Sequence, residues 1–332
     1  MLITLLFSLS IVSSRKTSAK YFYNTQRPLI IAHRGASGYI PEHTLQAYDI
    51  ASYMGADFIE PDLVPTKDFS LIINHENLLN ETTNVESLPQ FCHLHTTKTI
   101  STYAGPVTET GWFSEDFTLS EIKELRAKQR LSFRPETLNF YFQKITINEA
   151  LDWVINQNKE RITKNQTLLG AYIELKYPNY FNSLGFDVED MLLKILKERG
   201  IDNIKGASEI CPIILQCFEL ESLQYMSKKT DLPLVYLINS AYPVFNMSYY
   251  ADYVDGVGPN NGAIFTPNGE ITDFVHQAHG YGLAVHMWVI RDDVPFSGFN
   301  RPQTYEAVLE AKLDGIFDEF PDSASIYFSG ST

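Results

Sequence analysis

Eight short apolar, β-branched runs recur along the chain, with helical patterns between them. They are Leu29–Ala32, Phe58–Val64, Ala171–Leu175, Ile213–Phe218, Leu234–Ile238, Val254–Gly258, Ala284–Val289 and Gly315–Phe317, mostly bounded by Gly, Pro or Asp. Strand alternating with helix eight times predicts an α/β protein that closes as a (β/α)8 TIM barrel. The intervening stretches carry helix signals. Thr118-Leu119-Ser120-Glu121 and Thr146-Ile147-Asn148-Glu149 are capping-box patterns. Met54-Gly55 and Arg199-Gly200 read as helix ends.

The spacing breaks once. Residues 77–144 separate a strand-like run at Leu71–Asn74 from the next long helix. They are polar and rich in His and Thr, with one helical pattern near Leu119–Ala127. An unstructured loop of that length is unusual, so the segment is expected to be a small inserted cap after the second strand, packed over one end of the barrel.

Composition excludes several partners. The 332 residues are 44% hydrophobic and 20% charged, enough for a sizeable core. The net charge of −14 repels nucleic acid and anionic membranes. Neither is an expected partner, and any anion site must be local. At the N-terminus, the apolar run Leu2–Val12 is too short to span a bilayer and is followed by small residues. It predicts a signal peptide over residues 1–19, cleaved between Ser13 and Lys20, a mature domain over 28–328 and no integral membrane segment. A buried N-terminal strand or helix is the alternative. Sequons at Asn80, Asn165 and Asn246 fit secretion. Cys211 and Cys217 would be roughly 20 Å apart on an extended strand, too far for a bridge. Cys92 lies in a polar loop and can reach either. Buried free thiols are the plainer expectation for all three.

Charge falls where a barrel enzyme needs it. Run one ends in His33-Arg34, run two holds Glu60-Pro61-Asp62, and run three ends in Glu174-Leu175-Lys176. Alternate residues share a face, so Glu60 points with Asp62 and Glu174 with Lys176. Carboxylates inside apolar strands need a partner or a metal. Glu60, Asp62 and Glu174 form an oxygen set suited to Ca²⁺ or Mg²⁺. His33 and His75 are acid/base candidates, and Arg34 and Lys176 suit phosphate oxygens. Together they spell phosphoester chemistry. Taken singly each has a duller explanation: a solvated turn, a structural ion pair with Arg34, or a hydrogen-bonded core histidine. That last reading is assigned to His43, His93, His95, His276, His279 and His286, although His286 falls on run seven and is a candidate neighbour of the site. Phe218 and Trp288 are placed to line a pocket, or simply to pack the barrel.

The stretch from His33-Arg34-Gly35-Ala36-Ser37-Gly38 to Pro41-Glu42-His43-Thr44 resembles the opening motif of the glycerophosphodiester phosphodiesterase family. Ala56–Val64 resembles its Glu-x-Asp metal motif, and Leu71–Glu76 its third motif. Tyr172–Lys176, Gln216–Phe218, Asp255–Pro259 and Asp314–Asp318 continue the likeness over most of the chain. The resemblance implies hydrolysis of glycerophosphodiesters, such as glycerophosphocholine, to sn-glycerol 3-phosphate and an alcohol. It implies a divalent cation on Glu60, Asp62 and Glu174, acid–base catalysis by His33 and His75, and phosphate binding by Arg34 and Lys176. It also implies that Glu42 orients His33 or the metal. Two positions depart from the family pattern. Glu76 stands where Asp is usual, and Glu81 where Arg is common. A phospholipase D-like enzyme for lysophospholipid or sphingomyelin on the same barrel would need an apolar entrance, which the polar insertion disfavours. A non-catalytic surface binding protein is disfavoured by the intact charged set.

Overall fold

The computed structural model describes residues 15–23, 26–239 and 245–330. The strands are β1 (Leu29–His33), β2 (Phe58–Glu60), β3 (Asp62–Pro65), β4 (Leu71–Ile73), β5 (Thr96–Thr102), β6 (Gly105–Gly111), β7 (Gly170–Leu175), β8 (Ile213–Cys217), β9 (Leu234–Ile238), β10 (Gly256–Pro259), β11 (Ala284–Ile290) and β12 (Gly315–Asp318). β5 and β6 pair only with each other. The rest run in the order β2-β1-β12-β11-β10-β9-β8-β7-β3-β4, and β2 also pairs with β7. That pairing closes the sheet. β2 and β3 act as one stave, giving the eight parallel staves expected, while β4 folds back antiparallel on β3.

The second run is one strand in the sequence reading and two in the structure. Pro61 has no N–H to give to a ladder, and its carbonyl accepts from the Glu174 amide at 2.9 Å. The break leaves Asp62 paired in register with Glu174. Both capping boxes form. The second starts the helix Ile147–Thr163. The first starts only one turn, Leu119–Ile122, because Arg126 and Ala127 then bridge to Gln143 and Thr83 instead of continuing the helix. Gly55 and Gly200 follow their helices with φ of 92° and 68°, the left-handed geometry glycine adopts without strain.

Three hydrophobic clusters result, one of them a small group of Ala32, Ala36, Ala51 and Ala56. Another fills the barrel with Leu29, Ile31, Phe58, Tyr172, Ile214, Val235 and Phe317. Small residues make room for it: a Cβ on Gly315 would stand 2.8 Å from the His286 ring. The N-terminal segment closes the barrel end opposite the strand C-termini. Ala19 and Phe22 belong to the interior cluster, and the Phe22 ring centroid is 5.1 Å from that of His286. Burying one phenylalanine in this way stabilises the fold by about 2–3 kcal/mol. Arg15 pairs with Asp255 at 2.9 Å and donates to the carbonyls of Ser227, Thr230 and Leu232. Residues 1–14 of the expected leader lie outside the described residues; Arg15–Ala19 are part of the folded body.

The second cluster lies between strands and helices, and the inserted segment contributes Leu79, Val85, Phe91, Ile100, Phe113 and Phe117 to it. The insertion is therefore packed into the same core. It contains the β5–β6 hairpin, which the sequence reading did not include. Its strands are largely exposed, and Thr97–Thr110 and Thr99–Thr108 hydroxyl pairs, not apolar residues, line one face. All three cysteines are free; Cys211 and Cys217 are buried, but Cys92 is exposed, so the buried reading fails there. Among the described residues no helix is long and apolar enough to cross a membrane.

Candidate active site

The barrel gathers its charged residues at one end, where the break at Pro61 sets Asp62 in register with Glu174. Glu60 ends β2, Asp62 opens β3, and Glu174 lies one residue before the end of β7. All three are buried. One oxygen from each lies within 4.8 Å of the others, the only such acidic group among the described residues. Burial, then Asp62 and Glu174, push the Glu60 carboxyl well above its ordinary range. Glu174 is pushed up to about 8 by burial, against the pull of Lys176. Burial opposes ionisation of Asp62 too, but Lys176 and His43 outweigh it and hold this carboxyl well below the usual range. Asp62 Oδ1 is buried without a hydrogen-bond partner. Crowded, partly unsatisfied carboxylates of this kind fit a hard divalent cation.

A cavity of about 310 Å³ opens above the triad, lined by His33, Arg34, Glu60, His75, Glu174 and Lys176 among others. The structure thus brings the two histidines, both basic residues and the carboxylates to one hollow. Burial, then Arg34, lower His33 to about 4. Burial, Arg34 and Lys176 lower His75 well below its usual value. Arg34 has φ of 62°, a backbone state that costs a non-glycine residue about 1–3 kcal/mol. It lets the Arg34 amide donate to Glu60 Oε2 at 3.0 Å. Lys176 Nζ sits 2.9 Å from Glu174 Oε1.

Glu42 is placed differently from the sequence reading. It contacts neither His33 nor the triad; it accepts from Arg34 at 3.0 and 3.1 Å and from Arg130 at 3.2 Å. Opposed by burial but favoured by Arg34, its carboxyl falls to about 2. The residue that orients His33 is Glu319, whose Oε1 is 3.0 Å from His33 Nδ1. Arg291 Nε lies 2.8 Å from Glu319 Oε1, and Arg134 of the insertion lies 2.6 Å from its other oxygen. His43 holds the triad: its Nε2 is 2.8 Å from Asp62 Oδ2 and its Nδ1 is 3.0 Å from the Tyr48 hydroxyl. It is a hydrogen-bonded core histidine, as expected, but one attached to the site. Gln216 donates to Glu60 Oε1 at 2.9 Å.

Charge following β12 was a readable sign for Glu319, and a polar residue two before Phe218 was one for Gln216. No pattern announced Arg130 or Arg134. Phe218 and Trp288 do line the cavity, with ring centroids 5.7 Å apart. Tyr103, at the hairpin tip, stacks on Phe218 at 4.4 Å. His286 is away from the mouth, buried beside Phe22 with its Nδ1 2.9 Å from the Tyr172 hydroxyl. His93, His95, His276 and His279 are exposed, so the core reading does not hold for them; His279 pairs with Asp314.

Residues 33–323 match the Glycerophosphoryl diester phosphodiesterase family. The chain belongs to this family of phosphodiester hydrolases. It is 32% identical to a glycerophosphodiester phosphodiesterase of Arabidopsis thaliana, over 95% of this chain and 90% of that one. It is 27% identical to one from Haemophilus influenzae, over 91% and 90%. Solved phosphodiesterase structures share the fold. One from Silicibacter pomeroyi superposes with a TM-score of 0.68 at 17% identity, covering 93% of this chain and 96% of its own. An Oleispira antarctica phosphodiesterase, solved in complex with sn-glycerol-3-phosphate, gives 0.61 at 18% identity, covering 91% and 97%.

Proposed function

We propose that this family member hydrolyses water-soluble glycerophosphodiesters, such as glycerophosphocholine, to sn-glycerol 3-phosphate and an alcohol. The observation that carries the reading is the convergence of three buried carboxylates, two histidines and two cations around one cavity. Glu60, Asp62 and Glu174 would hold a Ca²⁺ or Mg²⁺ ion. Bound there, the cation would offset the triad's charge and polarise a phosphoryl oxygen. Arg34 and Lys176 hold the remaining phosphate oxygens. His33 donates a hydrogen bond from its Nδ1–H to the Glu319 carboxylate, which leaves the Nε2 lone pair free to take the proton of the incoming water or glycerol hydroxyl. His75 serves the other end of the phosphate and, in its protonated form when the phosphate anion is bound, gives that proton to the departing alkoxide. Phe218 and Trp288 form an apolar wall for the glycerol carbons. The rim carries Glu76, Arg130, Asn239 and Arg291, which suits a deacylated substrate and opposes a phospholipase D-like one.

We also place the protein outside the cytoplasm, after removal of a leader that ends before Arg15. The packed contacts of Arg15 and Ala19 and the exposed sequons at Asn165 and Asn246 support that reading.

The test is steady-state release of glycerol phosphate from glycerophosphocholine with and without a chelator. Turnover should vanish on chelation and return with Ca²⁺ or Mg²⁺. Turnover indifferent to chelation would remove the metal from the scheme. Turnover confined to acylated lipids would replace the substrate class.

A further inference from the structure

Tyr103 ties the insertion to the barrel mouth. It and Ala104 form the loop of the β5–β6 hairpin, since Thr102 and Gly105 are its last paired positions. The turn is held by its own groups. Thr102 Oγ1 donates to the Gly105 carbonyl at 2.7 Å and accepts from the Ala104 amide at 3.2 Å. Farther back the stem is fixed where Lys98 pairs with Glu115 and Asp116 and Ile100 is buried. The tip thereby reaches two stave ends. The Tyr103 ring lies nearly parallel to that of Phe218, which follows β8, with centroids 4.4 Å apart and planes inclined by 14°. Its hydroxyl accepts from Nδ2 of Asn239, which follows β9, at 2.8 Å.

These contacts fall on the wall assigned above to the glycerol carbons. The Phe218 ring meets Trp288 edge-on at 5.7 Å, and the Lys176 ammonium stands 5.7 Å from its centroid. Tyr103 stacks on that same ring. Tyr103, Phe218, Leu237 and Asn239 line both the reaction cavity and a neighbouring hollow that Leu220 and Ile238 also line. They are the partition between the two. Tyr103 is 44% exposed, so burial contributes little to holding it there. The stack and the hydrogen bond hold it instead. Both are made at the mouth, and both must break before the tip can move.

We propose that Tyr103 is the specificity-determining residue that restricts the cavity to diesters of unacylated glycerol. This rests on the hydrolytic reading above and names what sets its substrate limit. Unsubstituted glycerol leaves the aromatic wall closed. An acyl group on a glycerol oxygen extends past Phe218 and pushes the hairpin tip aside. Its entry breaks the stack and the Asn239 hydrogen bond, at a loss of about 10–100-fold in kcat/KM. The bonds made and broken at phosphorus are the same for both substrates, so the discrimination lies in admission. A built obstacle to the wrong ligand gives specificity that attraction to the right one does not.

The experiment compares kcat/KM for glycerophosphocholine with kcat/KM for hexanoyl-glycerophosphocholine, a short-chain lysolipid used below its micelle threshold. It is run on the wild type, Tyr103→Ala and Tyr103→Phe. The wild type should favour the deacylated diester by about 10–100-fold. Tyr103→Ala should narrow that ratio by about tenfold or more. Tyr103→Phe keeps the ring and loses the hydroxyl, and should narrow it by about threefold. Equal kcat/KM in the wild type, or a ratio unmoved by Tyr103→Ala, overturns the proposal. A second measurement does not depend on turnover: calorimetric titration, with Mg²⁺ present, of ethyl phosphate and hexyl phosphate, monoesters with no diester bond to cleave. The affinity ratio should shift toward hexyl phosphate in Tyr103→Ala. That shift in a protein that hydrolyses neither diester would retain the gate and refute the reaction. Hydrolysis of glycerophosphocholine with the same affinity ratio in both proteins would retain the reaction and refute the gate.

Discussion

The two histidines proposed as base and acid sit in unlike settings. His33 aims its Nδ1 at a carboxylate whose side chain is only 2% exposed; Arg291 donates to that carboxylate and Arg134 pairs with it by charge. His75 Nδ1 is 3.1 Å from Glu76 Oε1, within ion-pair range, yet it is out of line for a hydrogen bond. Glu76 is 31% exposed and is held by the Tyr177 hydroxyl, not by a cation. The contrast separates two tasks. A base that meets the same nucleophile in every turnover gains from a ring fixed before substrate arrives. An acid that meets the variable alcohol tolerates a looser carboxylate at the edge of the cavity. The insertion serves both ends, through Arg134 behind His33 and through its hairpin beside His75.

The sharpest break of the comparison would be a difference in the histidines themselves. His33→Ala and His75→Ala are each expected to lower kcat by roughly 10²–10⁴-fold. The double variant should lose less than the product, because the two act in one step. Near-normal turnover of either single variant across pH 6–9 would remove that histidine from the pair.

The next effect is on stability. His33 falls to about 4 in the folded protein, against about 6.5 in the unfolded chain. The unfolded chain takes up a proton as pH drops through 6.5, and the folded one resists until about 4. Stability linked to His33 is therefore full above pH 6.5 and is lost as pH falls toward 4, by about 3 kcal/mol in all. Denaturation of His33→Gln between pH 4 and 7 should show a correspondingly shallower dependence; an identical slope would place His33 in water.

The carboxylates come next. Glu319→Gln should lower kcat by about 10–100-fold with little change in KM, the usual worth of a group that orients another. Glu76→Gln should cost no more than about fivefold by the same reasoning, since it makes no aligned bond to its histidine. Equal losses in paired kinetic assays would erase the distinction between a fixed and an adjustable histidine.

The smallest expected effect is remote. Arg134→Met, in the insertion, should lower kcat by about five- to tenfold with KM nearly unchanged, because it loosens Glu319 and leaves the phosphate groups in place. Arg134→Lys should recover part of the loss. A fall confined to thermal stability would show that Arg134 only packs.

The eight staves were legible because each is a short apolar run between turn residues, and the triad was legible because buried charge at strand ends is conspicuous there. The β5–β6 hairpin was not, since a strand bare to solvent on most positions and paired by threonines lacks the alternation that marks a half-buried strand. Glu42 shows the limit within a motif. The family likeness implied that it orients His33 or the metal, and the structure sets it against the Arg34 guanidinium instead.

Sequence alone determined the barrel, the strand-borne residues of the site and the class of chemistry, because apolar periodicity and buried charge are local properties of a chain. Tertiary structure alone decided which carboxylate holds which histidine. Glu319 meets His33 across 286 positions and Arg134 meets Glu319 across the insertion, and such pairings exist only once closure of the sheet sets the first stave beside the last.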